Sequence, residues 1–365
     1  MRHIVFIYPY LTSYILPALR GMAESGRVKL DVIYGPLPSG QGFGAHSPFK
    51  HPNIRWIQIE EIHPFGKRVG MYQKGLLHHI YQTHPDAILI WANARYLSFW
   101  GVLMLGRMLG IPVYPRGHGL VKKKKVGILY RLMYKVILKL SHKYMCYVPS
   151  VKESLKPLTK NEEKLVVDYN TLYNGYPVLP DSKSGAESGI FYIGRVRPGC
   201  GVDLLVGIVN RLNSGEGFAI KLHIIGDGPL GEFLHQQAAL FPWITYYGKE
   251  FDQKRISQIS KHCRVGCVPG FMGLNVVHMM SLSLPVVSHN RLQEHMGPEP
   301  EYIQHGINGW LFNKEHEEQS LENAIRQIWR MPADKLKVTQ ENAFETYKKL
   351  SNPPFHERLL QILEA

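Results

Sequence analysis

The apolar positions of this chain fall into two series of short runs separated by amphipathic stretches. The first run, His3 to Ile7, ends at Tyr8-Pro9-Tyr10 and has the length of a buried strand. A helix is expected from Ser13 to Glu24 and a second strand from Lys29 to Tyr34, which opens a βαβ unit. Pro36 to Pro52 is rich in Gly, Pro, Ser and His and has no period, so it predicts a loop at one edge of a sheet. Further strands are predicted at Ile54–Ile59, Ala87–Trp91, Ile111–Arg116 and Lys143–Val148, alternating with helical stretches. That order fits a parallel sheet.

The segment Tyr173 to Ser188 has the Gly, Pro and Ser content of an exposed connector. After it the alternation restarts. Strands are expected at Gly189–Ile193, Ala219–Ile225, Ile244–Tyr247, Val265–Val268 and Pro285–His289. Helices are expected at Val202–Leu212, Leu230–Leu240, Gln253–Ser260 and Asn275–Ser281. The predicted fold class is therefore α/β, with two Rossmann-like doubly wound domains in tandem and an inter-domain cleft suited to joining two substrates. The expected domains are 1–180 and 181–345, with a C-terminal helix over 346–365 packing back on the first. No repeat of solenoid length is present.

The composition of the 365 residues, 45% hydrophobic and 20% charged with 24 scattered prolines, excludes disordered, collagenous and coiled-coil classes. Arg107 interrupts the longest apolar run, Leu97 to Tyr114, and the N-terminal run is too short for an export signal. No membrane span is expected. The four cysteines, Cys146, Cys200, Cys263 and Cys267, are too few for a disulfide framework and match no zinc spacing. A reducing cytoplasm and no metal are expected.

Charge changes the picture for the first half. Residues 1–180 hold 24 basic and 9 acidic side chains and residues 181–365 hold 19 and 20, so the net +14 sits in the first half. Lys122, Lys123, Lys124 and Lys125 precede an apolar helical stretch, and Arg131, Lys135, Lys139 and Lys143 recur there every fourth residue. Like charges at that spacing repel, and an anionic membrane surface would compensate them. The alternative is a core helix with a solvated basic face. Nucleic acid is not expected, since no recognition motif or aromatic-interleaved groove accompanies the charge.

Candidate chemistry lies in the second half. Gly194-Arg195-Val196-Arg197 and Ile224-Ile225-Gly226-Asp227-Gly228-Pro229 end two strands in tight turns, and Pro269-Gly270-Phe271-Met272-Gly273-Leu274-Asn275 feeds an apolar helix. Such a loop presents backbone N–H groups and a positive helix end to a phosphate, and Arg195 and Arg197 supply charge-assisted contacts for a diphosphate. The blander reading of each turn is structural. His278 on its own reads better as a hydrogen-bonded core residue than as a ligand contact.

The motif order GRVRPGCGVDLL, HIIGDGP, YYGKEF, VPGFMGLNVVHMMSLSLPVV and PEPEYIQHGINGWLF over residues 189–313 resembles the donor-binding domain of retaining GT-B glycosyltransferases of group 1 (family 4-like). The first half is similar more loosely, through Arg116-Gly117-His118-Gly119. The resemblance implies that His118, Arg195 and Arg197 are catalytic. It implies that Gly194, Gly226, Tyr247, Gly248, Lys249, Gly270, Gly273, Leu274, Asn275, His278 and Glu301 bind the donor. Two positions that usually carry paired glutamates hold Gly270 and His278, and a usual lysine is Cys200. The variant loop reads as a subfamily signature, with Arg197 replacing the lysine charge and His278 serving a ribose hydroxyl or a phosphate.

The resemblance further implies transfer of a sugar, with retention, from a nucleotide diphosphate sugar onto a lipid-linked saccharide or other glycan in bacterial surface polysaccharide synthesis. A UDP-sugar is preferred to a GDP-sugar, no cofactor is needed, and the site would be cytoplasmic, on the inner face of the plasma membrane. The alternatives are an inactive nucleotide- or glycan-binding partner and a nucleotide-sugar epimerase.

Overall fold

The computed structural model describes residues 1–37, 48–63, 70–121, 126–183 and 187–365. The chain divides into two units, Met1–Tyr173 with Pro353–Ala365, and Asn174–Asn352.

In the first unit, β1 (Arg2–Tyr8), α1 (Leu16–Glu24), β2 (Val28–Tyr34) and β3 (Ile54–Gln58) run outward from the centre of the sheet. A short antiparallel pair, β4 (Glu61–Ile62) with β5 (Tyr72–Gln73), and α2 (Leu76–Thr83) lead back to β6 (Ala87–Trp91) on the other side of β1. Then follow α3 (Leu97–Leu109), β7 (Val113–Gly117), α4 (Ile128–Leu140), β8 (Tyr144–Cys146), α5 (Pro149–Leu155) and β9 (Leu165–Val167). The seven-stranded sheet has the order β3-β2-β1-β6-β7-β8-β9, with every pair parallel. Ile4, Phe6, Leu30, Val32 and Leu89 pack one face against α1.

The second unit repeats the plan. It contains β10 (Gly189–Ile193), α6 (Val202–Glu216), β11 (Lys221–Ile225), α7 (Gly231–Leu240), β12 (Ile244–Gly248), α8 (Gln253–Ser260), β13 (Cys263–Cys267), α9 (Asn275–Ser281), β14 (Val286–His289) and β15 (Gly309–Phe312). Its parallel sheet runs β12-β11-β10-β13-β14-β15. Strand order reverses between β10 and β13, and ligands of open parallel sheets collect outside the carboxyl ends at such a reversal. α10 (Glu317–Trp329) and α11 (Ala333–Ser351) complete this unit, and α12 (Phe355–Glu364) belongs to the first.

The boundaries differ from the expected 180/181 and 345/346. The connector joins the second unit already at Asn174, because Asn174 Nδ2 donates to Ser281 Oγ at 2.7 Å and Val178 N–H to Ser281 O at 3.0 Å. At the other end, residues 346–351 continue α11, and the chain leaves only at Asn352-Pro353-Pro354, where the paired prolines end the helix. α12 then packs on α1, with Phe355, Leu359, Leu360 and Leu363 in the first unit's core. Arg358 fixes it there by donating to the carbonyls of Asp168 at 3.0 Å and Tyr169 at 3.1 Å.

Lys122 to Lys125 and most of the expected loop from Pro36 to Pro52 lie outside the described residues. The basic stripe also needs correction. Arg131, Lys135 and Lys139 are exposed on α4, but the helix ends at Leu140, so Lys143 sits beyond it, directly before β8. Among the described residues no helix is long and apolar enough to cross a membrane.

Candidate functional site

Three loops meet at the carboxyl edge of the second sheet. The turn after β10 and the turn after β11 touch: Gly194 N–H bonds Ile225 O at 3.0 Å, and a Cβ on Gly226 would lie 1.7 Å from Gly194 O. Only glycine permits that approach, and Gly226 adopts φ 149°. The third loop, after β13, closes on the segment that follows Arg197. Gly270 N–H donates to Cys200 O at 3.1 Å and Phe271 N–H to Gly199 O at 3.3 Å. A Cβ on Gly270 would lie 2.0 Å from Gly199 O, so a glutamate has no room on this backbone.

These contacts revise the expected phosphate cradle. The Gly270 N–H is spent on Cys200, and the Gly273 N–H on Asn275 Oδ1 at 2.9 Å. Asn275 is spent as well, since its Nδ2 donates to Ile193 O at 3.1 Å. Among the described residues the N–H groups of Leu274 and Asn275 find no acceptor, so these two remain for an anion at the start of α9.

The cations flank this point. Tyr192 donates its hydroxyl to Arg195 O at 2.8 Å, which fixes the backbone that carries the half-buried Arg195 side chain. Arg197 Nη2 meets Met296 Sδ at 3.6 Å and its guanidinium lies 5.7 Å from the Phe271 ring centre. Its Nε is buried without a partner, and it forms no ion pair among the described residues. A guanidinium left incomplete in this way favours a bound anion. His278, one turn into α9, also has a buried, unpartnered Nε2. Burial pushes its imidazole down to about 4, so the ring is neutral at pH 7 and offers Nε2 as donor or acceptor according to tautomer.

Other expected donor residues are placed less directly. Tyr247 gives its hydroxyl to a 2.9 Å contact with His223 Nδ1 and stacks on that ring, an engagement along the sheet that sets its orientation. Gly248 follows in left-handed geometry, φ 65°, and accepts from Gly226 N–H at 2.8 Å. Lys249 is exposed, 5.3 Å from the Phe251 ring centre. Glu301 is half-buried, whereas its neighbour Glu299 is fully buried with Oε2 3.9 Å from where a Gly273 side chain would begin. Glu299 is therefore the carboxylate at the glycine loop. His118 belongs to the first unit, directly after β7, with its ring 4.8 Å from that of Tyr147.

Two histidines hold the loop from behind. His289 and His295 stack nearly parallel, with centroids 3.7 Å apart. His295 Nε2 lies 3.0 Å from His289 O, and its Nδ1 lies 3.2 Å from Gly270 O. Burial pushes His289 down to about 3, with the neighbouring His295 adding to the effect. Their sequence spacing gave no sign of this bracing. No group of three or more metal-type side chains occurs among the described residues.

Residues 187–331 match the family model described as glycosyl transferases group 1, so the second unit carries that family's pattern. No curated protein matches the chain. Solved structures share the two-domain GT-B fold across its whole length. Anabaena HepE, crystallised with UDP and glucose, is 17% identical with a TM-score of 0.65 and covers 100% of both chains. A glycosyltransferase from Rickettsia africae is 15% identical at TM-score 0.68, covering 100% of this chain and 98% of its own. The pneumococcal O-GlcNAc transferase GtfA, with UDP and GlcNAc, is 11% identical at TM-score 0.69 over 100% and 98%.

Proposed function

We propose that this chain, whose second unit matches the group 1 glycosyl transferases over residues 187–331, is a glycosyltransferase. It moves a sugar from a UDP-sugar, with retention at the anomeric carbon, onto a glycan acceptor. The observation that carries the reading is the incomplete set of donors at the β10/β13 reversal: Arg197 with an unpartnered Nε, His278 with an unpartnered Nε2, and two free N–H groups at Leu274 and Asn275. Such a set suits the negative charge that grows on a leaving diphosphate, the electrostatic task that most lowers the barrier of this transfer. Arg195 and Arg197 supply the charge, and Glu299, the buried carboxylate beside the glycine loop, receives hydroxyls of the sugar together with Glu301. UDP is preferred over GDP because HepE and GtfA were both crystallised with UDP.

The acceptor is proposed to be a lipid-linked saccharide in bacterial surface polysaccharide synthesis, met at the cytoplasmic face of the plasma membrane, with His118 serving the transfer from the first unit. The experiment is release of UDP from a panel of UDP-sugars with lipid-linked acceptors, with the anomeric proton coupling of the product read by NMR. An inverted product removes retention, and binding without turnover moves the chain to the second reading. That reading, a nucleotide- or glycan-binding partner without catalysis, is favoured by Gly270, where the usual glutamate has no space.

A further inference from the structure

The largest exposed apolar side chains of the first unit gather on two neighbouring helices. On α4, Ile128 and Leu129 are 79% and 78% exposed, and Leu132 and Val136 continue the same face one and two turns on. On α3, which packs against α4, Met108 is 80% exposed and Met104 precedes it by one turn. Exposed apolar surface of this extent on a helix pair marks a contact face.

Charge around the face is predominantly basic. Arg131, Lys135 and Lys139 run beside the apolar stripe on α4, and none of them, nor Arg107 or Lys143, forms an ion pair among the described residues. At the C-terminal ends of α3 and α4 an open groove is lined by Arg107, Lys139, His142, Lys143 and Lys164, and Glu163 lines it as well. Lys164 Nζ donates to the carbonyls of Leu138 at 3.0 Å and Ser141 at 2.8 Å, which holds its charge in the groove wall. Burial and the charges of Lys143 and Lys164 push His142 down from its ordinary value, as a positive groove requires.

We propose that the exposed faces of α3 and α4 and the basic groove at their ends dock onto an anionic phospholipid bilayer. Ile128, Leu129, Leu132 and Met108 enter the boundary between headgroups and acyl chains, and Arg131, Lys135, Lys139 and Lys143 meet lipid phosphates. A helix with one apolar and one basic face lies in the plane of such a boundary. Charge complementarity selects this occupant: a second copy would bring the same unpaired cations against themselves. The inference deepens the membrane part of the function proposed above and does not depend on the transfer chemistry.

Flotation of the whole chain with vesicles of phosphatidylcholine, with and without one-third phosphatidylglycerol, tests it. The wild type should float only with the anionic vesicles. Arg131→Gln, Lys135→Gln and Lys139→Gln together should lower the partition coefficient about a hundredfold, the equivalent of three charges at about 1 kcal/mol each. Ile128→Ser, Leu129→Ser and Leu132→Ser together should lower it at least about tenfold even at low salt. In Leu129→Trp the indole emission should shift to the blue on anionic vesicles alone. Wild-type protein that stays unbound overturns the proposal, and an apolar variant that floats as well as wild type reduces the contact to adsorption and overturns insertion. A dimer in sedimentation that this variant dissolves, with no vesicle binding, would make the face an interface between copies. Calorimetry with UDP on the same variants should be unchanged, so a failure of the donor site is read separately from a failure of docking.

Discussion

The side-chain amide of Asn275 donates to the carbonyl of Ile193 at 3.1 Å while its oxygen receives the Gly273 N–H at 2.9 Å. One side chain thereby spaces the end of β10 from the start of α9, the two walls of the proposed diphosphate site. Asn275→Ala frees both walls, and UDP affinity should fall by about 1–2 kcal/mol, the cost of two neutral hydrogen bonds. Asn275→Asp keeps the acceptor but sets a carboxylate beside the phosphates, so it should bind UDP more weakly than alanine does. An aspartate variant that binds more tightly than the alanine one in calorimetry would take the diphosphate away from this helix end.

Arg195→Ala and Arg197→Ala test the charge stabilisers. Each should lower kcat/KM by about 2–4 kcal/mol in activation free energy, the range for one electrostatic donor. The larger share should fall on kcat, since the charge develops in the transition state. Arg197→Lys should rescue little, because the unpartnered Nε belongs to a planar fork that an ammonium does not reproduce. Activity within about threefold of wild type removes the residue concerned from the site.

Gly270→Glu restores the residue usual in similar enzymes, and the structure predicts that it harms the protein. Its Cβ would lie 2.0 Å from Gly199 O and 2.7 Å from the Cys200 carbonyl carbon, both backbone atoms, so the loop after Arg197 must move. Thermal unfolding should shift down by several degrees, about 2 kcal/mol of strain in a domain of this size, and UDP affinity should fall with it. Gly270→Ala, which carries the same Cβ without the charge, should show most of the loss. A stable Gly270→Glu variant with improved turnover would refute the packing argument.

Much of this was legible in the sequence, because glycine-containing turns at strand ends are local signals. The loops at Gly194, Gly226 and Gly270 announce the carboxyl edge of a parallel sheet, and the apolar runs around them place the strands. What escaped depends on distance along the chain. β9 is only three residues long and carries no period. Arg116 is buried against Asp168 and Asn170, more than fifty residues away, and α12 joins the first unit from the far end of the chain. His289 and His295 are brought face to face by the single turn Leu292–Glu294, and no spacing rule for histidine describes a stacked pair bracing a loop. The spacing role of Asn275 was not legible, since it depends on Ile193 being within reach.

The buried histidines predict how the second unit responds to acid. Burial holds His278 and His223 at about 4 and His289 at about 3, below the value of about 6.5 in an unfolded chain. As pH falls below 6.5 the unfolded chain takes up protons that the folded one refuses, so the stability from these groups is full above that pH and is lost toward pH 4 and below. Each ring should contribute on the order of a few kcal/mol to that loss, so denaturation midpoints should drop steeply between pH 6.5 and 4. His278→Gln should flatten the slope by its share.

The same ring also reads the donor contact. His278→Ala should weaken UDP binding by about 1–3 kcal/mol, the range for a hydrogen bond to a charged group, and because the ring is neutral the loss should be the same at pH 6.5 and pH 8. His278→Glu should retain more affinity than alanine where Nε2 meets a ribose hydroxyl and less where it meets a phosphate oxygen. Equal UDP affinities for wild type, alanine and glutamate would show that the unpartnered Nε2 faces no ligand and that His278 acts only in packing.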